Sequence, residues 1–186
     1  MASTPTPSKA PAYLPRFKRI GQDTCKDNPH CGDFLGEFAC VATICGASLD
    51  DIRNLAIKAH HHPKHGAFWV TDALVQQLLA AYGWQGTEWK QVLTPLAGLP
   101  DVAILLIDYD ETTEIGRPVV YQRAASKSKP TGFDEWIIDP AHWIAPAKQL
   151  TDDVKGYAPA WYIGVFPLPY PSSGIPKSPP SATTGK

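Results

Sequence analysis

Cys31 to Gly46 reads CGDFLGEFACVATICG, and the rest of the chain is best read outward from this stretch. Phe34, Phe38, Val41, Ala42 and Cys45 recur at helical spacing, Asp33 is placed to cap the helix, and Gly46 is placed to end it. Cys31-Gly32 stands just ahead of it. A thiol there meets orphan N–H groups and the positive end of the helix dipole, which lower its pKa. Gly32 lets a carbonyl group approach the backbone closely. The same N–H groups donate to an oxyanion, and Gln22 upstream adds a side-chain donor. The pattern predicts Cys31 as a nucleophile. Cys40 and Cys45, inside the helix, read as small core residues, whereas Cys25 falls in a polar loop.

Two more helices follow. Ser48 with Asp51 resembles a capping box with a shorter acid, and Leu49, Ile52, Ala56 and Ala59 line one side up to Pro63. Thr71 or Asp72 opens a third helix with Leu74, Val75, Leu78, Leu79 and Tyr82 facing inward, and Gly83 is its natural C′ residue. After Gly86 the pattern becomes strand-like, rich in Val, Ile, Tyr and Trp. Strands are expected at Glu88–Leu93, Val102–Tyr109, Pro118–Ala124, Glu135–Asp139 and Trp161–Phe166. The links between them are mostly too short for crossover helices, so the sheet is expected to be mainly antiparallel. Three helices followed by about five such strands make an α+β layout.

The order of these motifs resembles the papain-like bacteriocin-processing cysteine peptidase family. The likeness rests on Gln22, Cys31-Gly32, Ala39-Cys40-Val41-Ala42, Gly46 and the run Ser48 to Leu55, then on Gly66, Thr71–Tyr82 and Gly83-Trp84. It continues through Val102–Tyr109, Val119-Val120-Tyr121 and Ile137-Ile138-Asp139-Pro140, so it covers Gln22 to Phe166. The resemblance implies a papain-like fold with Cys31 as nucleophile, Gln22 as oxyanion donor and Asp139 as the residue that orients the base. There are two departures. The helix after Cys31 is longer than the family pattern, and the family's catalytic His gives way to Arg117-Pro118.

Arginine stays protonated and cannot act as a general base near neutral pH. A thiol hydrolase needs a base for the thiol and an acid for the leaving amine. His142, three residues after Asp139, is the substitute the sequence offers; its alternative reading is a surface-loop His beside Trp143. His60, His61, His62 and His65 follow the second helix, where cationic side chains suit the dipole. Cys25, His30, Cys31 and one of these histidines are the candidate zinc ligands, but no Cys-x-x-Cys pair exists and the spacing is irregular, so no metal is assigned. There is no phosphate-binding loop or dinucleotide fingerprint, and no cofactor is implied. Trp136 and Trp161, in expected strands, read as core.

Ten of the 19 prolines lie outside Arg16 to Phe166. They mark off an N-terminal arm (1–15), a domain (16–166) and a C-terminal arm (167–186), both arms of extended character. A composition of 44 % hydrophobic and 19 % charged residues builds a real core, which excludes a wholly disordered chain. A net charge of −1 gives no general attraction for nucleic acid or an anionic membrane. No apolar run is long enough to span a bilayer, and Met1 to Pro15 lacks the apolar core of a signal peptide. The expected location is the cytoplasm or the inside of a larger particle such as a virion.

Two functions remain open on the sequence. One is a cysteine peptidase or amidase using Cys31, Gln22, Asp139 and His142 on a protein or peptide. The other is a catalytically silent papain-like structural or adaptor protein that joins a larger assembly through its arms. Arg117 argues for silence, and Cys31-Gly32 with Asp139-Pro140 for a retained site. A small zinc-binding module is the third, weaker reading.

Overall fold

The structure, a computed structural model, describes residues 15–25, 35–64, 69–126 and 132–169. Among them are four α-helices and seven strands: α1 (Gly36–Cys45), α2 (Leu49–His60), α3 (Asp72–Ala81), β1 (Trp84–Gly86), β2 (Lys90–Gln91), β3 (Val102–Asp110), β4 (Ile115–Ala125), β5 (Phe133–Ile138), α4 (Pro146–Gln149), β6 (Leu150–Thr151) and β7 (Trp161–Pro167). Helices come first and an antiparallel sheet second, which is the α+β class the periodicity predicts. The sheet runs β1-β7-β3-β4-β5-β6, with β2 also on β7, and every pairing is antiparallel.

The helix ends follow local chemistry. Ser48 caps α2 by accepting from the Asp51 N–H at 3.1 Å, and Thr71 caps α3 by accepting from Leu74 N–H at 3.2 Å. Gly46 closes α1 at φ 67°, a left-handed conformation in which glycine carries no Cβ penalty. α1 begins at Gly36 behind Leu35, which supplies no side-chain cap; Asp33, the expected cap, lies outside the described residues.

α1 differs from the expected one-faced helix. Gly36 and every residue from Phe38 to Ile44 are buried. The reason is its position: it lies on β4 and is also packed against α2 and α3. It is the central helix. The main core joins the three helices to one sheet face through Val102, Ile104, Val120, Ile138, Ile163 and Val165. Cys25, which the sequence leaves unplaced, is buried there too. The alternate residues Ala103, Leu105, Ile107, Val119, Tyr121 and Ile137 form a second core on the other face, under Val92, Leu96, Val154, Tyr157 and Tyr162. Both faces are covered, so β3 and β4 read as nearly continuous apolar runs.

The expected strand Glu88–Leu93 is corrected. Only Lys90 and Gln91 pair as β2, and Trp84 to Gly86 form β1 on the same neighbour. The two are one edge strand interrupted at Thr87. Its N–H donates to Gly164 O and its hydroxyl accepts from Gly164 N–H, both at 3.0 Å, so the side chain takes over part of the ladder. β6 and α4 are too short to leave a periodic trace. No helix among the described residues is long and apolar enough to cross a membrane.

Candidate functional site

The site lies where the N-terminus of α1, the start of β4 and the loop after β5 meet. Arg16 and Phe17 begin the approach: their N–H groups donate to Gln122 Oε1 at 2.8 and 3.3 Å. Arg19 then holds the loop after β5. Its guanidinium donates to the carbonyls of Asp139, Pro140 and Ala141 at 2.6, 3.0 and 3.2 Å. Burial lowers the pKa of this group, and the Asp23 carboxylate opposes that shift. Gln22 follows in a 3-10 turn, with its N–H on Pro140 O at 2.9 Å, and it is 3 % exposed.

Gln149 secures the same loop from the other side. Its amide donates to Ala141 O at 3.2 Å and to Ile144 O at 2.9 Å. Asp139 is fully buried, and its Oδ1 accepts from Ala141 N–H at 2.9 Å. A loop tied at this many backbone groups presents its side chains in one fixed arrangement.

Arg117 takes the other carboxylate oxygen of Asp139 through Nη1. Its Nε and Nη2 donate to Asp108 Oδ2 at 3.0 and 2.7 Å. The guanidinium is thus divided between a buried and an exposed carboxylate, 1 % and 68 % exposed respectively. Asp108 reaches it from a left-handed backbone position, φ 51°, at the irregularity of β3 between Ile107 and Asp110. Asp is one of the few side chains that tolerates that region.

Pro118 points the opposite way, toward the helices. A Cβ on Gly36 would overlap Pro118 Cγ and lie 2.9 Å from its Cδ. The same point is 3.6 Å from Gln22 Nε2. The first residue of the central helix, the buried amide of Gln22 and the β4 side chain facing them are therefore in direct register, with Asp139 behind. Neither Gly36 nor Pro118 has a titratable side-chain atom, and the described start of α1 offers no room for one.

A cleft of about 620 Å³ opens beside this cluster, lined by Gln22, Asp108, Ile115 to Pro118, His142 and Trp143. His142 is exposed and packs edge-on against Trp143, with ring centroids 5.0 Å apart. The structure thus brings three of the four sequence-predicted site residues to one place: Gln22 and His142 on the cleft wall and Asp139 beneath Arg117. The fourth, Cys31, lies outside the described residues, as do His30, Gly32, His65 and Gly66. Cys25 and Cys40 are buried, and burial pushes the Cys45 thiol up to about 12.

Sequence reasoning misses the contact between Gly36 and Pro118. Arg19 and Gln149, which act on backbone carbonyls, leave no motif at all. Among the described residues, no three His, Cys, Asp or Glu side chains are grouped to hold a metal ion. No family model and no curated protein matches the chain.

Proposed function

We propose that this chain is a catalytically silent papain-like protein whose former catalytic cleft holds a protein or peptide segment without cleaving it. The observation that carries the reading is Pro118 filling the space in front of Gly36. Pro118 closes the approach to the described start of α1, and its neighbour Arg117, standing where the resemblance puts the catalytic His, cannot take a proton from a thiol near neutral pH. Arg117 completes the conversion. It neutralises the buried Asp139, which otherwise requires an imidazole or another cation beside it. The cleft itself is retained: Arg19 and Gln149 keep its loop in place, and Ile115 and Trp143 offer 54 % and 52 % of their surface for contact. A groove with aromatic and aliphatic walls and a few fixed polar groups suits an extended chain.

The competing reading, a thiol peptidase with Cys31 and His142, draws its support from His142 lying on the same cleft as Gln22. One experiment separates them. The full chain is incubated with a mixed peptide library, and bound and cleaved species are followed by mass spectrometry. The silent reading predicts retained peptides, no new termini, and loss of retention in Trp143→Ala. Cleavage that disappears in Cys31→Ala would establish the peptidase instead.

A further inference from the structure

The chain partitions its charge sharply. All 18 acidic residues lie between Arg16 and Phe166, whereas the two arms carry three lysines, Lys9, Lys177 and Lys186, and no acid. Four of the acids, Asp108, Asp110, Glu111 and Glu114, crowd the β3–β4 hairpin at the rim of the cleft. Among the residues lining the cleft the basic side chains are Arg117, already engaged by Asp108 and Asp139, and His142. The rim is therefore acidic beside an apolar wall of Ile115 and Trp143. A proline-rich, cationic segment complements both features: prolines pack on aromatic faces with little ordering entropy, and lysines meet the acids.

The arms' roots are placed by the structure. Pro167 pairs with Trp84, and the Arg16 guanidinium lies 5.3 Å from the Trp84 ring, so both arms leave the domain together. That corner is the Val102 end of β3, because Ala103 pairs with Gly164 and Leu106 with Trp161. The cleft lies at the Asp108 end, ~20 Å away along the strand at about 3.3 Å per residue. Lys177 stands ten residues past Pro167, a reach of ~31 Å as an extended proline-rich chain. Lys9, seven residues before Arg16, reaches ~22 Å, which leaves almost no slack over that ~20 Å span, whereas Lys177 has ample slack.

Resting on the reading of the cleft as a peptide-holding groove, we propose that its occupant is the protein's own C-terminal arm, residues 170–186, docked within the same molecule with Lys177 and Lys186 against the β3–β4 acids. Tethering supplies an effective concentration on the order of millimolar, so modest contacts are enough to keep the arm in place.

The test uses the full chain at low concentration. A zero-length carbodiimide links ammonium to carboxylate only in direct contact. Cross-links from Lys177 or Lys186 to Asp108, Asp110, Glu111 or Glu114 are expected in the monomer fraction. In Lys177→Glu/Lys186→Glu, amide hydrogen exchange at residues 115–118 and 141–144 should speed up by at least about three-fold. A charge swap that adds Asp110→Lys and Glu111→Lys should restore the slow exchange. Cross-links found only between molecules, or unchanged exchange in the lysine variant, would overturn the arm's docking. Because the docked arm competes for the cleft, the lysine variant should retain more library peptide than the unmodified chain; retention that is present but equal in both overturns the arm's docking and leaves the peptide-holding reading standing. If neither form retains any peptide, that reading falls as well.

Discussion

Pro118 Cδ lies 2.9 Å from the point where a Cβ on Gly36 would stand. The contact joins the first residue of the central helix to the strand it packs on, and it leaves no room for a side chain at the helix start. Gly36→Ala adds one methyl against a rigid pyrrolidine ring. Overpacking costs typically 1–3 kcal/mol, and the better helix propensity of alanine returns only about 1 kcal/mol of it. A net loss of up to about 2 kcal/mol is expected in urea denaturation. With Pro118→Ala already in place the same substitution should become neutral or stabilising. Equal effects in both backgrounds would mean the two residues do not meet.

Arg117 and Asp139 make the second relationship of consequence. Removing one partner of a buried pair leaves an uncompensated charge, which costs about 3–5 kcal/mol. Arg117 keeps 19 % of its side-chain surface and a second carboxylate, so Arg117→Met should lose about 3 kcal/mol. Adding Asp139→Asn to that variant should recover part of the loss, because the stranded charge is gone. Additive losses in the chemical-denaturation cycle would argue against the pair.

Glu37 provides a pH-dependent test at the same helix start. It is half-buried in the first turn of α1, and burial raises its carboxyl pKa above the ordinary value while a backbone hydrogen bond works against the shift. A carboxyl raised in the folded state holds its proton more tightly there than in the unfolded chain. Ionisation therefore costs stability as pH rises from the unfolded pKa of about 4.3 through the folded value. Glu37→Gln should raise Tm at pH 7, and the gain should vanish below about pH 4. A gain that is the same at both pH values would remove ionisation as its cause.

The elements legible in the sequence are those whose signal is local. Ser48, Thr71, Gly46 and Gly83 mark helix ends by their own hydrogen bonding or backbone freedom, and the structure puts each at an end. The long strands follow from their content of Val, Ile, Tyr and Trp. What escapes the sequence depends on contact across the fold. The edge strand breaks at Thr87 because of a hydrogen bond to Gly164, 77 positions away. Gly36 matters only because Pro118 lies over it, and the apolar periodicity of α1 carries no hint that its remaining faces are also covered. Gln22 and Asp139 are candidates by likeness of order, and His142 by its place three residues after Asp139. Their partners, Arg19, Arg117 and Gln149, act on a loop that the sequence does not reveal as a unit.

The proposal of a silent cleft is tested most directly by the reactivity of Cys31 itself. Cys25 and Cys40 are buried, and the Cys45 thiol is pushed up to about 12, so peptide mapping resolves alkylation at Cys31 in the native protein. Iodoacetamide labelling between pH 6 and 9 should follow a free thiol, with its midpoint near about 8.5, and should be unchanged by His142→Ala. Rapid labelling of Cys31 that is already maximal below pH 7, and is slowed by His142→Ala, would contradict the account and establish an activated nucleophile.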